Sequence, residues 1–179
     1  MDNGASSYRR FLAGDERAFD EILHLYRDNL IFFLNRYVHN MTVAEDLAID
    51  AFVDLLVHTH RYHFKTSLKT YLFMVGRSLA LNYLKKQSKH PTVPLFEANA
   101  TDEADLEEKL VAEERKRMVN QALEQLPEEM RLVIHLVYFE ELSYEETAKI
   151  MKKNKKQVDN LLYRAKQALR PILGREGNL

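Results

Sequence analysis

The sequence predicts an all-α protein of two small helical domains joined by an acidic linker. Three observations carry this expectation. Apolar residues recur at three- and four-residue steps through most of the chain, the signature of buried helix faces. Nothing alternates with period two over a useful length, so strands are not expected. Between the two helical parts runs a stretch with two prolines, many acids and no sustained helical period. A linker of that kind is unusual inside one compact domain.

The first helix carries Phe19, Ile22, Leu23, Tyr26, Leu30, Phe33, Leu34 and Tyr37 at helical spacing. Thr42 with Glu45 reads as a capping box opening the next helix. That helix sets Leu47, Ala51, Phe52, Leu55 and Leu56 on one side and Glu45, Asp46, Asp50 and Asp54 elsewhere. Ser67 can cap a further helix with Leu68, Leu72, Val75, Leu79 and Tyr83 or Leu84 on its apolar face. Its polar positions include Lys69, Arg77, Ser78, Asn82, Lys85 and Lys86. Phe64 and Tyr71 could stack on bases, but aromatics at such spacing read first as core.

Pro91 and Pro94 break any helix leaving Lys86. The linker that follows has room for a short docked piece at Val93, Leu95 and Phe96. A helix over about 113–125 comes next. Another starts at Pro127, expected at the first helical position, with Glu128 and Glu129 where the helix dipole favours acids. Met130, Val133, Ile134, Val137 and Tyr138 give its buried side. Two capping boxes then follow closely, Ser143 with Glu146 and Asn154 with Gln157. Two short helices joined so tightly imply a helix-turn-helix.

Charge is strongly segregated in this chain of 179 residues with a net charge of −1. From Arg61 to His90 there are seven basic residues and no acid. From Pro91 to Glu114 there are eight acids against Lys109. From Lys149 to Arg170 there are eight basic residues and one acid, Asp159. Two basic patches parted by an acidic spacer suggest two separate contacts with a polyanion, and a bent basic helix pair suits a DNA major groove.

Other classes find little support. There is no cysteine, so neither a disulfide framework nor a thiolate metal site is available. The N-terminus has no apolar signal core, and no apolar run approaches the ~20 residues that cross a bilayer, so a soluble intracellular protein is expected. His58, His60 and His63 invite a metal reading, but His58 and His60 would point about 200° apart on a helix. No Gly-rich phosphate loop or nucleophile elbow is present, so neither an enzyme nor a cofactor is expected.

Four stretches together resemble the extracytoplasmic-function group of sigma-70-type bacterial RNA polymerase sigma factors. They are Ala18-Phe19 with Tyr26 and Leu30, then AEDLAIDAF from Ala44, TYLFMVGRSLALNYLKK from Thr70, and the run from Leu126 to Leu169. The resemblance spans about residues 8 to 170. It implies a sigma-2-like domain over 8–88 for core polymerase and −10 binding, a flexible acidic linker over 89–110, and a sigma-4-like helix-turn-helix domain over 111–174 for −35 binding. It implies that Glu45, Asp46, Asp50 and Asp54 touch the polymerase core. Lys65, Lys69, Arg77, Lys85 and Lys86 would hold the −10 strand, with Ser78 and Asn82 placed to read a base. In the last helix Lys156, Gln157 and Asn160 would reach −35 base edges, and Lys155, Tyr163, Arg164 and Lys166 would meet phosphates. Core RNA polymerase, promoter DNA and an anti-sigma factor are the implied partners, in the bacterial cytoplasm.

The chain departs from the family pattern at several positions. Lys152 and Lys153 stand where a turn glycine and an apolar residue are usual, which suggests a differently shaped turn. Asp159 and Leu161 stand where basic residues are common. Ile49 replaces Gln, Tyr71 replaces Trp, and Ser78 and Asn82 replace Asn and Asp. The main alternative is a helix-turn-helix regulator that acts without docking on polymerase. It accounts for residues 143–169 but not for the second basic patch. A helical adaptor is the other alternative.

Overall fold

The computed structural model describes residues 4–89 and 119–176, and among these the backbone is helical or in turns and bends, with no strand. The chain divides into two compact units, one of residues 1–97 with 149–152 and one of residues 98–148 with 153–179. The linker from 90, with Val93, Leu95 and Phe96, and the first residues of the next helix lie outside the described residues.

The first unit holds α1 (Ala5–Leu12), α2 (Arg17–Val38), α3 (Met41–Val57), a 3-10 turn (Thr59–Arg61) and α4 (Leu68–Lys89). Helices α2, α3 and α4 pack on one another, and α1 lies against α2. The periodic face of α2 is the core: Phe19, Ile22, Tyr26, Leu30, Phe33, Leu34 and Tyr37 are buried. Gly76 of α4 faces this surface. A Cβ there would come within 3.0 Å of Leu30 and 3.2 Å of Leu34, so glycine sets the closeness of α4 to α2. The deepest side of α4 is accordingly Leu68, Leu72, Phe73, Gly76 and Ala80. Val75, Leu79, Tyr83 and Leu84, expected there, are half-buried instead.

Two other expectations are corrected. Thr42 does not cap α3. Asn40 does, its side chain accepting from the Val43 N–H at 3.0 Å, after His39 turns the chain in a left-handed conformation. Leu56 is not core but 45% exposed. The helix α1 was not anticipated, being short and mostly polar. Its anchor is Tyr8, which is fully buried and donates to the Leu55 carbonyl at 3.0 Å.

Burial, with smaller effects of Tyr71 and Tyr62, pushes the Tyr8 phenol from 10.0 up to about 12. A raised folded-state pKa favours the neutral form. The stability Tyr8 contributes is therefore complete below pH 10 and lost as pH rises towards 12. Tyr8→Phe should cost about 1–2 kcal/mol at neutral pH and lose less further stability between those pH values, measured by thermal unfolding of both proteins.

The aromatic residues after α3 gather around Tyr8. Ring centroids lie 4.7 Å apart for Tyr62–Phe64, 5.1 Å for Tyr62–Tyr71 and 6.0 Å for Tyr8–Phe64. Phe64 and Tyr71 are thus half-buried in this aromatic cluster.

In the second unit residues 119–124 are helical. Helix α5 (Glu128–Ile134) continues into a π-turn (His135–Phe139), followed by α6 (Tyr144–Met151) and α7 (Lys155–Glu176), with α5 packed on α7. Pro127 sits one place earlier than expected, as the cap of α5 rather than its first residue. The π-turn shifts the helical phase by one residue. Leu136 turns inward and is fully buried, while Tyr138, expected in the core, is 52% exposed.

Candidate nucleic-acid and protein interfaces

Both helices of the pair are closed by the expected reciprocal caps. At α6, the Ser143 N–H donates to the Glu146 carboxylate at 3.0 Å, and the Glu146 N–H donates to Ser143 Oγ at 3.3 Å. At α7, the Asn154 N–H donates to Gln157 Oε1 and the Gln157 N–H donates to Asn154 Oδ1, both at 2.8 Å. Between them Lys152 takes the left-handed conformation at φ 54° that glycine usually fills, and the Lys153 N–H reaches back to the Ala148 carbonyl at 2.9 Å. The turn therefore keeps the left-handed shape despite its lysine. Lys153 is tied to Glu129 of α5 at 3.0 Å, which pins the turn to the rest of the unit.

The strain at Lys152 is local and its side chain is exposed. Lys152→Gly should therefore raise stability by about 1 kcal/mol, read as a later urea midpoint for the helix-turn-helix. An unchanged midpoint would mean that the positive φ costs nothing there.

On α7, Val158, Leu161, Leu162 and Ala165 are buried. Leu161, noted as standing where a basic residue is common, is a core residue. Opposite them Lys156, Asn160 and Tyr163 follow one another at four- and three-residue steps on the exposed face, with Gln157 and Arg164 beside them. Tyr163 is 64% exposed. Lys155 and Lys166, placed with these by sequence, are engaged within the protein. Lys155 is paired with Glu145 of α6, which first and foremost holds its pKa up. Lys166 lies 5.3 Å over the Tyr138 ring, and a hydrogen bond with Tyr138 raises its pKa. Gln157 is also partly committed, since its carbonyl serves the cap.

On α4, Ser78, Asn82 and Lys85 share one exposed face, and Lys86 is exposed beside them. Lys65 is exposed on the loop before α4, next to Phe64, whose φ is +56°. The Arg9 guanidinium lies 4.7 Å over the Phe64 ring, a basic group missing from the sequence-based set. Lys69 and Arg77 are not on the Ser78 face. Lys69 sits 5.8 Å from the Phe73 ring, and Arg77 is half-buried with its Nε enclosed.

On α3, Glu45, Asp46 and Asp50 are exposed as expected. Asp54 differs. It is 21% exposed, pairs with Arg61 and lies 3.0 Å from His58 Nδ1, so it braces the end of α3 and is committed inside the protein. The larger omission is apolar. Ile49, Val53 and Leu56 are 57%, 50% and 45% exposed. With Phe19, Leu23 and Phe52 they line a groove of about 310 Å³, with Arg27 and Glu45 at its polar margin. Apolar residues on more than one face of α3 hid this strip, since only one side of the helix can face α2 and α4.

Among the described residues no helix is long and apolar enough to cross a membrane. Comparison with known proteins finds two family matches along the chain. Residues 22–90 match the family description "Sigma-70 region 2", and residues 116–169 match "Sigma-70, region 4". The RNA polymerase sigma-H factor of Pseudomonas aeruginosa is 28% identical over 178 residues, covering 92% of each chain. The ECF RNA polymerase sigma factor SigM of Bacillus subtilis is 27% identical over 159 residues, covering 89% of this chain and 97% of SigM. The co-crystal structure of the sigma factor RpoE with the anti-sigma factor NepR from Bartonella quintana shares the fold. Its TM-score is 0.66 at 20% identity, over 87% of this chain and 96% of that one.

Proposed function

This chain belongs to the sigma-70 family of RNA polymerase sigma factors, in its extracytoplasmic-function group, and from that premise we propose that it binds core RNA polymerase and directs promoter-specific initiation. The observation that carries this reading is the presence of both regions, in order, on one chain. A helix-turn-helix regulator acting alone would leave the whole first unit without a purpose. Polymerase supplies the chemistry, and the chain itself only selects and opens the promoter.

The division of labour follows the chemistry of the two surfaces. Residues 111–174 read the −35 element as duplex. There Lys156, Gln157 and Asn160 lie at the start of α7, where a recognition helix meets base edges, and Arg164 and Tyr163 lie further along, towards the phosphates. Residues 8–88 capture the −10 strand. Ser78, Asn82, Lys85 and Lys86 offer an exposed polar and basic face of α4, with Lys65 an exposed charge on the loop before it, and a melted strand needs both positive charge and groups that recognise a displaced base. Lys69 and Arg77 act at most from its flank. Glu45, Asp46 and Asp50, with the apolar strip of Ile49 and Val53 between them, dock on the polymerase core. The acidic linker over 89–110 stays off the DNA, which would repel it. An anti-sigma factor is the inhibitory partner, and the protein works in the bacterial cytoplasm.

The Glu145–Lys155 pair bears on this reading because both groups are exposed. Glu145→Gln should release Lys155 for a phosphate. The dependence of log affinity on log salt for a −35 duplex should then steepen by about one. Fold stability should change by less than about 0.5 kcal/mol.

Core binding is the first requirement. A pull-down with purified core polymerase, using an established sigma factor as positive control, should retain the chain. Ile49→Asp with Val53→Asp should abolish retention while leaving the helical spectrum intact. Absence of wild-type retention beside a working control would sink the proposal.

A further inference from the structure

We propose that Asp159 makes −35 recognition depend on a cytosine, by accepting a hydrogen bond from its N4 amino group in the major groove. The inference rests on the reading of α7 as the −35 recognition helix and deepens it. Asp159 is the one acid among eight basic residues between Lys149 and Arg170. It is exposed, and it stands at the fifth residue of α7, in the part of a recognition helix that reaches base edges. Its neighbours at helical spacing are Lys156 on one side and Tyr163 on the other, both on the outward face.

Among the described residues Asp159 is not a partner in any ion pair. The two lysines its charge reaches are engaged elsewhere, Lys155 chiefly by Glu145 and Lys166 chiefly by Tyr138. The carboxylate therefore lacks an ion-pair partner of its own among the described residues, on a surface otherwise suited to phosphates. Against a DNA backbone it can only repel, so a gain must come from a specific donor.

The major groove narrows the choice. A carboxylate only accepts. Guanine presents two acceptors and thymine an acceptor and a methyl group. Adenine presents its N6 donor beside the N7 acceptor, which repels a carboxylate. Cytosine N4 has an acceptor, the paired guanine O6, on one side only and the C5–H edge on the other, whereas adenine N6 lies between N7 and the thymine O4. Asp159 thus selects cytosine and rejects guanine with one charge.

The test uses the chain assembled with core RNA polymerase and a promoter library randomised over the −35 element, with bound DNA sequenced. Wild type should enrich cytosine at one −35 position. Asp159→Ala should reduce that preference by about tenfold, keep the preferences at other positions and raise overall affinity. Asp159→Asn should move the same position towards adenine, which an amide contacts through both N6 and N7. A variant that binds every sequence more tightly with an unchanged base profile would overturn the inference while leaving the −35 reading intact. A wild-type complex that binds but shows no −35 preference would overturn both. The Asp159 position is exposed, and thermal melts of the variants check that folding is unchanged.

Discussion

Asn160→Ala should weaken binding of the polymerase complex to its preferred −35 duplex by about 1–3 kcal/mol and leave binding to a scrambled duplex nearly unchanged. Asn160 is exposed on the outward stripe of α7, one turn after Lys156. Its amide both donates and accepts, so it can pair with a base edge in two ways. Gln157 is a less clean probe. Its carbonyl closes the α7 cap at 2.8 Å, so Gln157→Ala would mix lost readout with a loosened helix start of about 1 kcal/mol. Anisotropy titrations of both duplexes with each variant separate the two. An equal loss for Asn160→Ala on every duplex would mean that the residue only positions the backbone.

The second large effect concerns the fold that carries these surfaces. Gly76→Leu should destabilise the first unit by about 1–3 kcal/mol or more, because α4 is held against Leu30 and Leu34 with no room for a side chain. Gly76→Ala is a finer balance. Alanine gains about 1 kcal/mol of helix propensity over glycine but puts its methyl 3.0 Å from the Leu30 side chain, so the net change should be under about 1 kcal/mol. Urea unfolding followed by helicity measures both. A leucine variant that unfolds with wild type would show that α4 is not packed as closely as this.

Much of the fold was legible because helices advertise themselves locally. The α2 face and the two reciprocal caps of the helix-turn-helix are written in spacing and in pairs three residues apart, and both were found in place. What escaped depends on tertiary partners. Leu56 and Tyr138 are apolar residues in the expected phase, yet both are exposed, one because α3 has an uncovered side and the other because a π-turn shifts the phase after Ile134. Asn40 rather than Thr42 caps α3, since His39 reverses the chain two residues earlier than the Thr-Glu spacing implied.

The interfaces were legible as charge and less so as geometry. Sequence groups basic residues by proximity along the chain. The fold divides them by face, setting Lys69 apart from Ser78 and Asn82, and gives Lys155 to Glu145. Asp54 looked like one of four equivalent acids until Arg61 and His58 closed on it. The apolar strip of Ile49 and Val53 was invisible, since exposed and buried apolar residues read alike on a helix whose apolar residues spread beyond one face.

The most direct test of the central claim is transcription by core RNA polymerase reconstituted with this chain on fragmented DNA of the source genome, with the 5′ ends of the transcripts sequenced. The sigma-factor reading predicts starts at a limited set of positions sharing upstream −10 and −35 sequences, absent with core polymerase alone. Starts no more selective than those of core alone, from a chain shown to be folded, would contradict it.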